Sequence, residues 1–432
     1  MRGARDIPRR HRARRTRASP PEAGAAAPDT LPLAPDIRNR LRGVVRGVLA
    51  TTALALMTAA VASSPGGAQA PIRPGDYLGF EIGADRALAD WSQITGYFTQ
   101  LARSSPSVVL DTLGPTTNGL PLVMAVISSP RNIARLAEIR SAQARLADPR
   151  TLTPDEERRL LDTQPSVVLI QGNIHGSEIA ASQMAMLLAH RLATNDTLQR
   201  ALEHTVILLI PSANPDGEQI ITEWYRRGLG TAWEGGPVPW LYHPYVGHDN
   251  NRDMYMFTQK ESQLTAKLLW HDWFPAVWLD EHQQGSNGAR IFVMPATDPI
   301  NPNVHPLIYR WNGILGQSQA AALEAAGKEG IIYNSTYTNF WQGAMAWSGW
   351  WHNQVGLLTE VASVRVAAPT EQQRAVPGQT PAPGGGRGGR GGGRGNDGGI
   401  LPPPTDTNSR TEYPRPWLGG RWTLRDIVDY EL

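Results

Sequence analysis

The chain has 432 residues, 41% of them apolar, a formal net charge of +2 and no cysteine. Length and apolar content support one large domain or two ordinary ones with a sizeable core. The lack of cysteine excludes disulfides, thiolate metal sites and cysteine nucleophiles, so any metal must be held by His, Asp or Glu.

The small net charge is a sum of unlike parts. Residues 1–46 carry twelve Arg against Asp6, Glu22, Asp29 and Asp36, residues 47–70 are uncharged, and the remainder is therefore net −6. A mildly acidic body argues against nucleic-acid binding. Arg38, Arg40, Arg42 and Arg46 precede the apolar run GVLATTALALMTAAV, and SSPGGAQA follows, with Ala68 and Ala70 in an A-x-A pattern. This reads as an export signal cleaved near Ala70, which places the mature protein in the periplasm or outside the cell. The alternative is a retained anchor, although the run is short for a spanning helix. Residues 1–36 are long for a signal's basic region and read as a disordered tail or a misassigned start.

From there the pattern alternates. Residues 86–104 read as a helix, and SVVLDTLGPTTNGLPLVMAVISS reads as two strands around Thr117–Gly119. Residues 131–147 are helical and charged. SVVLIQG (166–172) is a short apolar run without alternation, as a buried parallel strand requires. A helix follows from Ser177 to about Asn195. HTVILLIPSANPDG is a second buried strand ending in a turn, residues 258–273 are helical, FPAVWLDEH is a third strand, residues 304–327 form a long helix, and QVGLLTEVAS is a fourth strand. Strands alternating with helices predict an α/β fold: a central mixed, mostly parallel β-sheet flanked by helices, in a single catalytic domain over residues 71–366. Residues 367–416, which include PGQTPAPGGGRGGRGGGRGNDGGILPPP, read as a disordered surface insertion. Residues 417–432 read as the start of a final helix, either a short one or one cut off by truncation, with Leu424, Ile427, Val428 and Leu432 on one face.

Ligands of such sheets sit at the carboxyl ends of the strands. His175, Asn214, His282 and Glu360 all lie at or just beyond predicted strand ends. QGNIHGSEIAAS places His175 and Glu178 three residues apart where a strand runs into a helix. With ten histidines in the chain, about one chance His-x-x-Glu match is expected, so the position is what gives the pair meaning. His282 closes the apolar strand AVWLDEH. Two His and one Glu leave a fourth position open, the catalytic arrangement of zinc. His248, beside the Asn-Arg stretch, is the rival ligand. Glu281 is turned to the opposite face by strand alternation. Glu360, in GLLTEVAS, is a carboxylate in an apolar run, which raises its pKa toward that of a general base; its alternative is a salt-bridged edge residue. Asn251 and Arg252 could grip a carboxylate. Asp249 could accept the second ring N–H of a ligand histidine. Arg226 or Arg227 could put a cation near an oxyanion.

Taken together, His175/Glu178, Asn-Pro-Asp-Gly at Asn214, Asp-x-Asn-Arg at Asp249–Arg252, His282 and Glu360 resemble the zinc carboxypeptidase family in order and spacing, over roughly residues 85–365. The resemblance implies one Zn2+ per chain held by His175, Glu178 and His282, with Asp249 behind His175. It implies Glu360 as general base toward zinc-bound water, Asn251 and Arg252 as the clamp for a terminal carboxylate, and Arg226 or Arg227 as the oxyanion arginine. Tyr337, or else Tyr333, would cap the substrate. The partner would be a peptide with a free C-terminal carboxylate. Gln283 departs from the serine usual after the third ligand. The stretch 331–359 has no charged side chain other than histidine and many aromatics, which leans toward apolar or aromatic terminal residues. The alternatives are a zinc hydrolase of cell-wall peptides or acyl-amino acids and an inactive peptide- or glycan-binding scaffold. RNA binding by the Gly-Arg run is disfavoured by the export signal.

Overall fold

Buried β-branched and leucine-rich segments assemble one sheet whose carboxyl ends converge. The structure, a computed structural model, describes residues 70–239, 241, 243, 245–376 and 400–432. Its strands are β1 (Val108–Pro115), β2 (Pro121–Ile127), β3 (Ser166–Gly172), β4 (Thr205–Ile210), β5 (Val277–Gln284), β6 (Ile291–Phe292), β7 (Ile331–Ile332), β8 (Val355–Ala362), β9 (Thr370–Gln372) and β10 (Gly420–Trp422). Eight form a sheet in the order β1-β2-β4-β3-β5-β8-β6-β7. The central pairs β4–β3, β3–β5 and β5–β8 are parallel, as is β6–β7, whereas β1–β2, β2–β4 and β6–β8 are antiparallel. The mixed, mostly parallel sheet expected from the sequence is therefore present. The described residues belong to one unit, Gly67–Leu432.

Helices cover both faces because the central strands are apolar on both sides. On one face, Ala180–Thr194, Trp91–Ser104 and Leu424–Glu431 pack with Val361 and Ala362. On the other, Trp278 and Leu169 meet Leu268, Leu269 and Trp273. The helix expected at 258–273 is Lys260–Lys267 continued by a π turn, Leu268–Asp272. The helix Pro154–Thr163 is additional. Its start was written in the sequence as Thr153 and Glu156 in a capping box with Pro154 at the first position. The Asn-Pro-Asp-Gly segment, read as the turn ending a strand, instead starts the helix Pro215–Gly228, with the Asn214 side chain accepting from Gly217 N–H. That start lies against the loop of His175: a side chain at Gly176 would meet the Gly217 backbone at 2.6 Å, so only glycine permits the approach. Gln283, where the resemblance led us to expect serine, accepts from Ala180 N–H at 2.9 Å at the start of the helix Ala180–Thr194.

The expected disordered insertion at 367–416 is too wide. Its two ends are folded onto the body: β9 pairs with β10, and Tyr413 is buried. Residues 377–399, which include the Gly-Arg run, lie outside the described residues, as does the expected export signal within residues 1–69. No helix among the described residues is long and apolar enough to cross a membrane. The signal for the folded ends was aromatic. Trp417 and Trp422 enclose the buried Arg290 guanidinium, whose carbon lies 3.8 and 4.8 Å from the two rings. Trp422 Nε1–H also donates to Ala362 O at 2.7 Å, just beyond Glu360 in β8.

One buried acid gives the fold a pH dependence. Glu218, fully buried in the helix Pro215–Gly228, meets only long contacts of 3.4 Å from Ser182 and Thr222 among the described residues. Burial first, and then the Asp90 charge, push its carboxyl well above the usual range, against the lowering effect of the hydroxyls and Arg226. The folded state thus holds a proton that the unfolded chain has lost. Stability is undiminished below the ordinary glutamate range and falls as pH rises above it. Glu218→Gln should match the wild type in urea unfolding at about pH 4 and exceed it at about pH 8; a wild type that gains stability over that interval relative to the variant would refute the assignment.

Candidate metal centre

The centre is built where β3 and β5 end. β3 runs into the loop carrying His175 and Glu178, and β5 carries His282 two residues before its end, paired in register with Glu360 of β8. His175 Nδ1 lies 2.8 Å from Glu178 Oε1, and His282 Nδ1 lies 2.9 Å from Glu178 Oε2. One ligand atom from each of the three residues can be chosen so that all lie within 4.8 Å of one another. The outward nitrogens are held as well: His175 Nε2 is 3.0 Å from Asp249 Oδ1, and His282 Nε2 is 3.0 Å from Asp280 Oδ2. Two imidazoles and a carboxylate, each imidazole with a carboxylate on its second nitrogen, are the donor set and outer shell that suit zinc.

Electrostatics follow from that packing. Burial opposes charge on Glu178, but His175 and His282 outweigh it and bring the carboxyl down to about 2. Burial likewise opposes charging His175, yet Glu178 and Asp249 lift it to about 9. Burial also opposes the Asp249 charge, which His175 and Arg252 hold below the usual carboxylate range. Glu360 is pushed up to about 7, chiefly by burial, with His282 pulling it down and Glu178 pushing it up. The Tyr337 side chain hydrogen-bonds it, so Tyr337 rather than Tyr333 stands beside Glu360. Tyr333 packs instead with the helix-covered core, its N–H donating to Glu412 O.

Not all expected residues gather here. Arg226 Nη1 donates to Asp90 Oδ2 at 2.6 Å and its Nη2 to Leu88 O and Gln93 Oε1; it ties two helices together. Arg227 is an exposed partner of Glu223 one helical turn away. The oxyanion role expected of one of them does not fit, because a surface-like Arg-Arg pair near the end of an amphipathic helix carries no positional information. His248, the rival ligand, is outside the cluster: its Nδ1 contacts Asp249 O at 2.8 Å and its Nε2 lies 3.6 Å from Asp253. Arg252 sits at the rim, its Nη1 donating to Asn251 O at 2.9 Å and its guanidinium carbon 5.5 Å from the Trp341 ring. Asn251 is buried, with its amide turned inward to His282 and Met345. Asp280 was missed, although its position two before His282 on a strand puts both on one face.

Residues 94–288 match the model of the family described as zinc carboxypeptidase. Carboxypeptidase Z of Homo sapiens is 45% identical over 79 residues, 17% of this chain and 12% of that protein. Carboxypeptidase D of Mus musculus is 34% identical over 152 residues, 31% of this chain and 10% of that protein. The chain thus spans about an eighth or less of the length of these curated relatives. Solved structures similar to it include the carboxypeptidase A from Helicoverpa armigera, with TM-score 0.45 and 16% identity, covering 68% of each chain. A metallo-carboxypeptidase from Burkholderia cenocepacia gives 0.41 and 15%, covering 62% of this chain and 59% of that one. The resemblance read from the sequence is thus matched, over residues 94–288, by the zinc carboxypeptidase family model.

Metal must compete with protons for the two Nδ1 atoms. Zinc uptake should release protons, seen as a calorimetric heat that varies with the buffer's ionisation enthalpy. Apparent affinity should climb by about tenfold per pH unit for each proton displaced as pH rises toward the raised His175 value. An affinity flat over that range would mean that the metal is held elsewhere.

Proposed function

We propose that the chain is an exported carboxypeptidase that hydrolyses the C-terminal peptide bond of peptides with a free terminal carboxylate. The observation that carries this is the convergence of both Nδ1 atoms on Glu178 with Glu360 facing His282 on the adjacent strand. His175, Glu178 and His282 would hold the zinc, which when bound polarises a carbonyl and makes water acidic enough to attack at neutral pH.

The chain's own groups do the rest. Glu360, raised to about 7 mainly by burial, takes the proton of the attacking water and returns it to the leaving amine. Tyr337 orients that carboxyl through its hydrogen bond. Arg252, half-buried and laid against Trp341, grips the terminal carboxylate as a charge-assisted partner. A groove of about 710 Å3 is walled by Met254, Tyr255, Phe257, Trp270 and Trp351, with Lys267, His271 and His352 but no carboxylate in its lining. That wall favours substrates ending in apolar or aromatic residues over basic ones. The signal read at residues 38–70 supports action outside the cytoplasm.

In an assay of amino-acid release from a peptide mixture, the zinc-loaded chain should liberate terminal residues. Glu360→Gln should bind zinc with the same stoichiometry and lose activity by at least about 100-fold. Equal activity in the variant would remove Glu360 as the base. Stoichiometric zinc with no release by either protein would refute the peptide-hydrolase reading.

A further inference from the structure

We propose that the exposed face of the helix Pro306–Ala325 pairs with the same face of a second copy of this chain, the two helices running antiparallel about a twofold axis at the level of Gly316. The pairing stands apart from the metal centre and does not rest on it.

The helix has 20 residues and is therefore about 30 Å long. Its inward side is settled. Ile308, Asn312, Gly316 and Ala320 recur every four residues and are its buried positions. Asn312 Nδ2 donates to Gly356 O of β8 at 2.6 Å, and Gly316 lies so close to the Met294 carbonyl that a Cβ there would collide with it. The opposite face should be polar if it only met water. Instead Leu307, Trp311 and Ile314 stand there 53%, 50% and 53% exposed. Ser318, Ala321 and Ala325, all exposed, continue the line. At about 100° per residue these six fall within an arc of about 80°. None is charged, and the Ser318 hydroxyl is turned back into the helix, donating to Ile314 O at 2.7 Å.

The order of sizes selects the occupant. Leu307, Trp311 and Ile314 lie nine, five and two positions before Gly316, and Ala325, Ala321 and Ser318 lie nine, five and two positions after it. A second helix reversed about that level sets each large side chain against a small one: Leu307 against Ala325, Trp311 against Ala321, Ile314 against Ser318. This is the self-complementarity that an isologous interface requires. Parallel pairing would stack Trp311 on Trp311 and leave gaps at the alanines. Charge agrees with size. Arg310 and Glu324 lie on one flank of the stripe, and neither has an ion pair among the described residues. Reversal brings Arg310 of each copy within two residues of the level of Glu324 of the other, whereas parallel alignment would set like charge against like. Two such faces bury on the order of 1,000 Å2 in total, the lower bound of a specific interface, so the dimer is reversible. A membrane surface fits less well, because helices that lie on membranes are rich in Lys and Arg and Arg310 is the one basic residue of this helix.

Sedimentation of the full chain should show a mass that rises twofold, from one chain to two, with concentration. Trp311→Glu, at a half-exposed position, should keep the wild-type melting temperature and stay at the mass of one chain. Ala321→Glu, at the facing position, should do the same. The chain has no cysteine, so single-cysteine variants report the direction of pairing. When Leu307→Cys and Ala325→Cys chains are mixed and oxidised, the mixed disulfide should greatly exceed either self-linked product. A disulfide needs Cα atoms within about 7 Å, and antiparallel pairing holds the two 307 positions roughly 27 Å apart. A mass of one chain at every concentration overturns the pairing. So does a dimer that survives both glutamate variants, or a predominance of self-linked Leu307→Cys chains. Single chains that bind anionic lipid vesicles, and lose that binding in Trp311→Glu, would assign the face to a membrane and overturn the pairing equally.

Discussion

The site depends on one carboxylate held between two imidazoles. Glu178 presents one oxygen to His175 and the other to His282, in surroundings where an isolated charge is strongly disfavoured. Counting Asp249 and Asp280, three carboxylates surround two rings. With both rings protonated, one negative charge is left over; with both neutral and a dication between them, the same single charge is left over. Two protons and one dication would thus be electrostatic substitutes in this pocket, which would join metal affinity to pH. Removing either imidazole breaks that balance, whereas exchanging protons for a dication preserves it.

The sheet makes this arrangement rigid. His175 and Glu178 come from the loop after β3, and His282 from near the end of β5, its in-register parallel neighbour. Glu360 arrives opposite His282 on β8. A slip of one residue in β5–β8 pairing would turn Glu360 to the other face. The apolar runs Val167–Ile170, Val277–Leu279 and Val355–Leu358 forbid that slip, because the core would be lost with it. Register therefore sets the distance between Glu360 and the cluster of His175, Glu178 and His282, and the hydrophobic effect sets the register.

What could be read in the sequence follows from the range of each signal. His175, Glu178, His282 and Glu360 were legible because each sits at a strand end, and strand ends were marked by apolar runs. Asp280 was equally marked by period-two alternation, but an acid two residues before a histidine draws no attention without the neighbouring strand. Asn251 and Arg252 look like one unit in the sequence, and only three dimensions separate an inward amide from an outward guanidinium. Arg226 misled for the converse reason: its partners, Asp90, Leu88 and Gln93, lie more than 130 residues away. The ends of the Gly/Pro-rich segment escaped because composition reports what cannot form a core, not what can dock on one. Tyr413 was the exception within it and Trp417 directly follows it, and both are buried.

The triplet Asp280-Glu281-His282 shows the same strand setting opposite charge states on its two faces. Asp280 and His282 point together and pair. Glu281 points away into the layer under the helix Leu424–Glu431, where burial first and the Asp280 charge second push its carboxyl up to about 8. Glu431, on that helix, is raised as well, by burial, by Glu281 and by Glu178, and both of its buried oxygens lack a hydrogen-bond partner among the described residues. A chain that ionised all of these acids would place uncompensated negative charge beneath the cluster of His175, Glu178 and His282. With the lower layer neutral, the two imidazoles answer only to Glu178, Asp249 and Asp280. The alternation of a β-strand is thus what separates the groups that must be charged from those that must not.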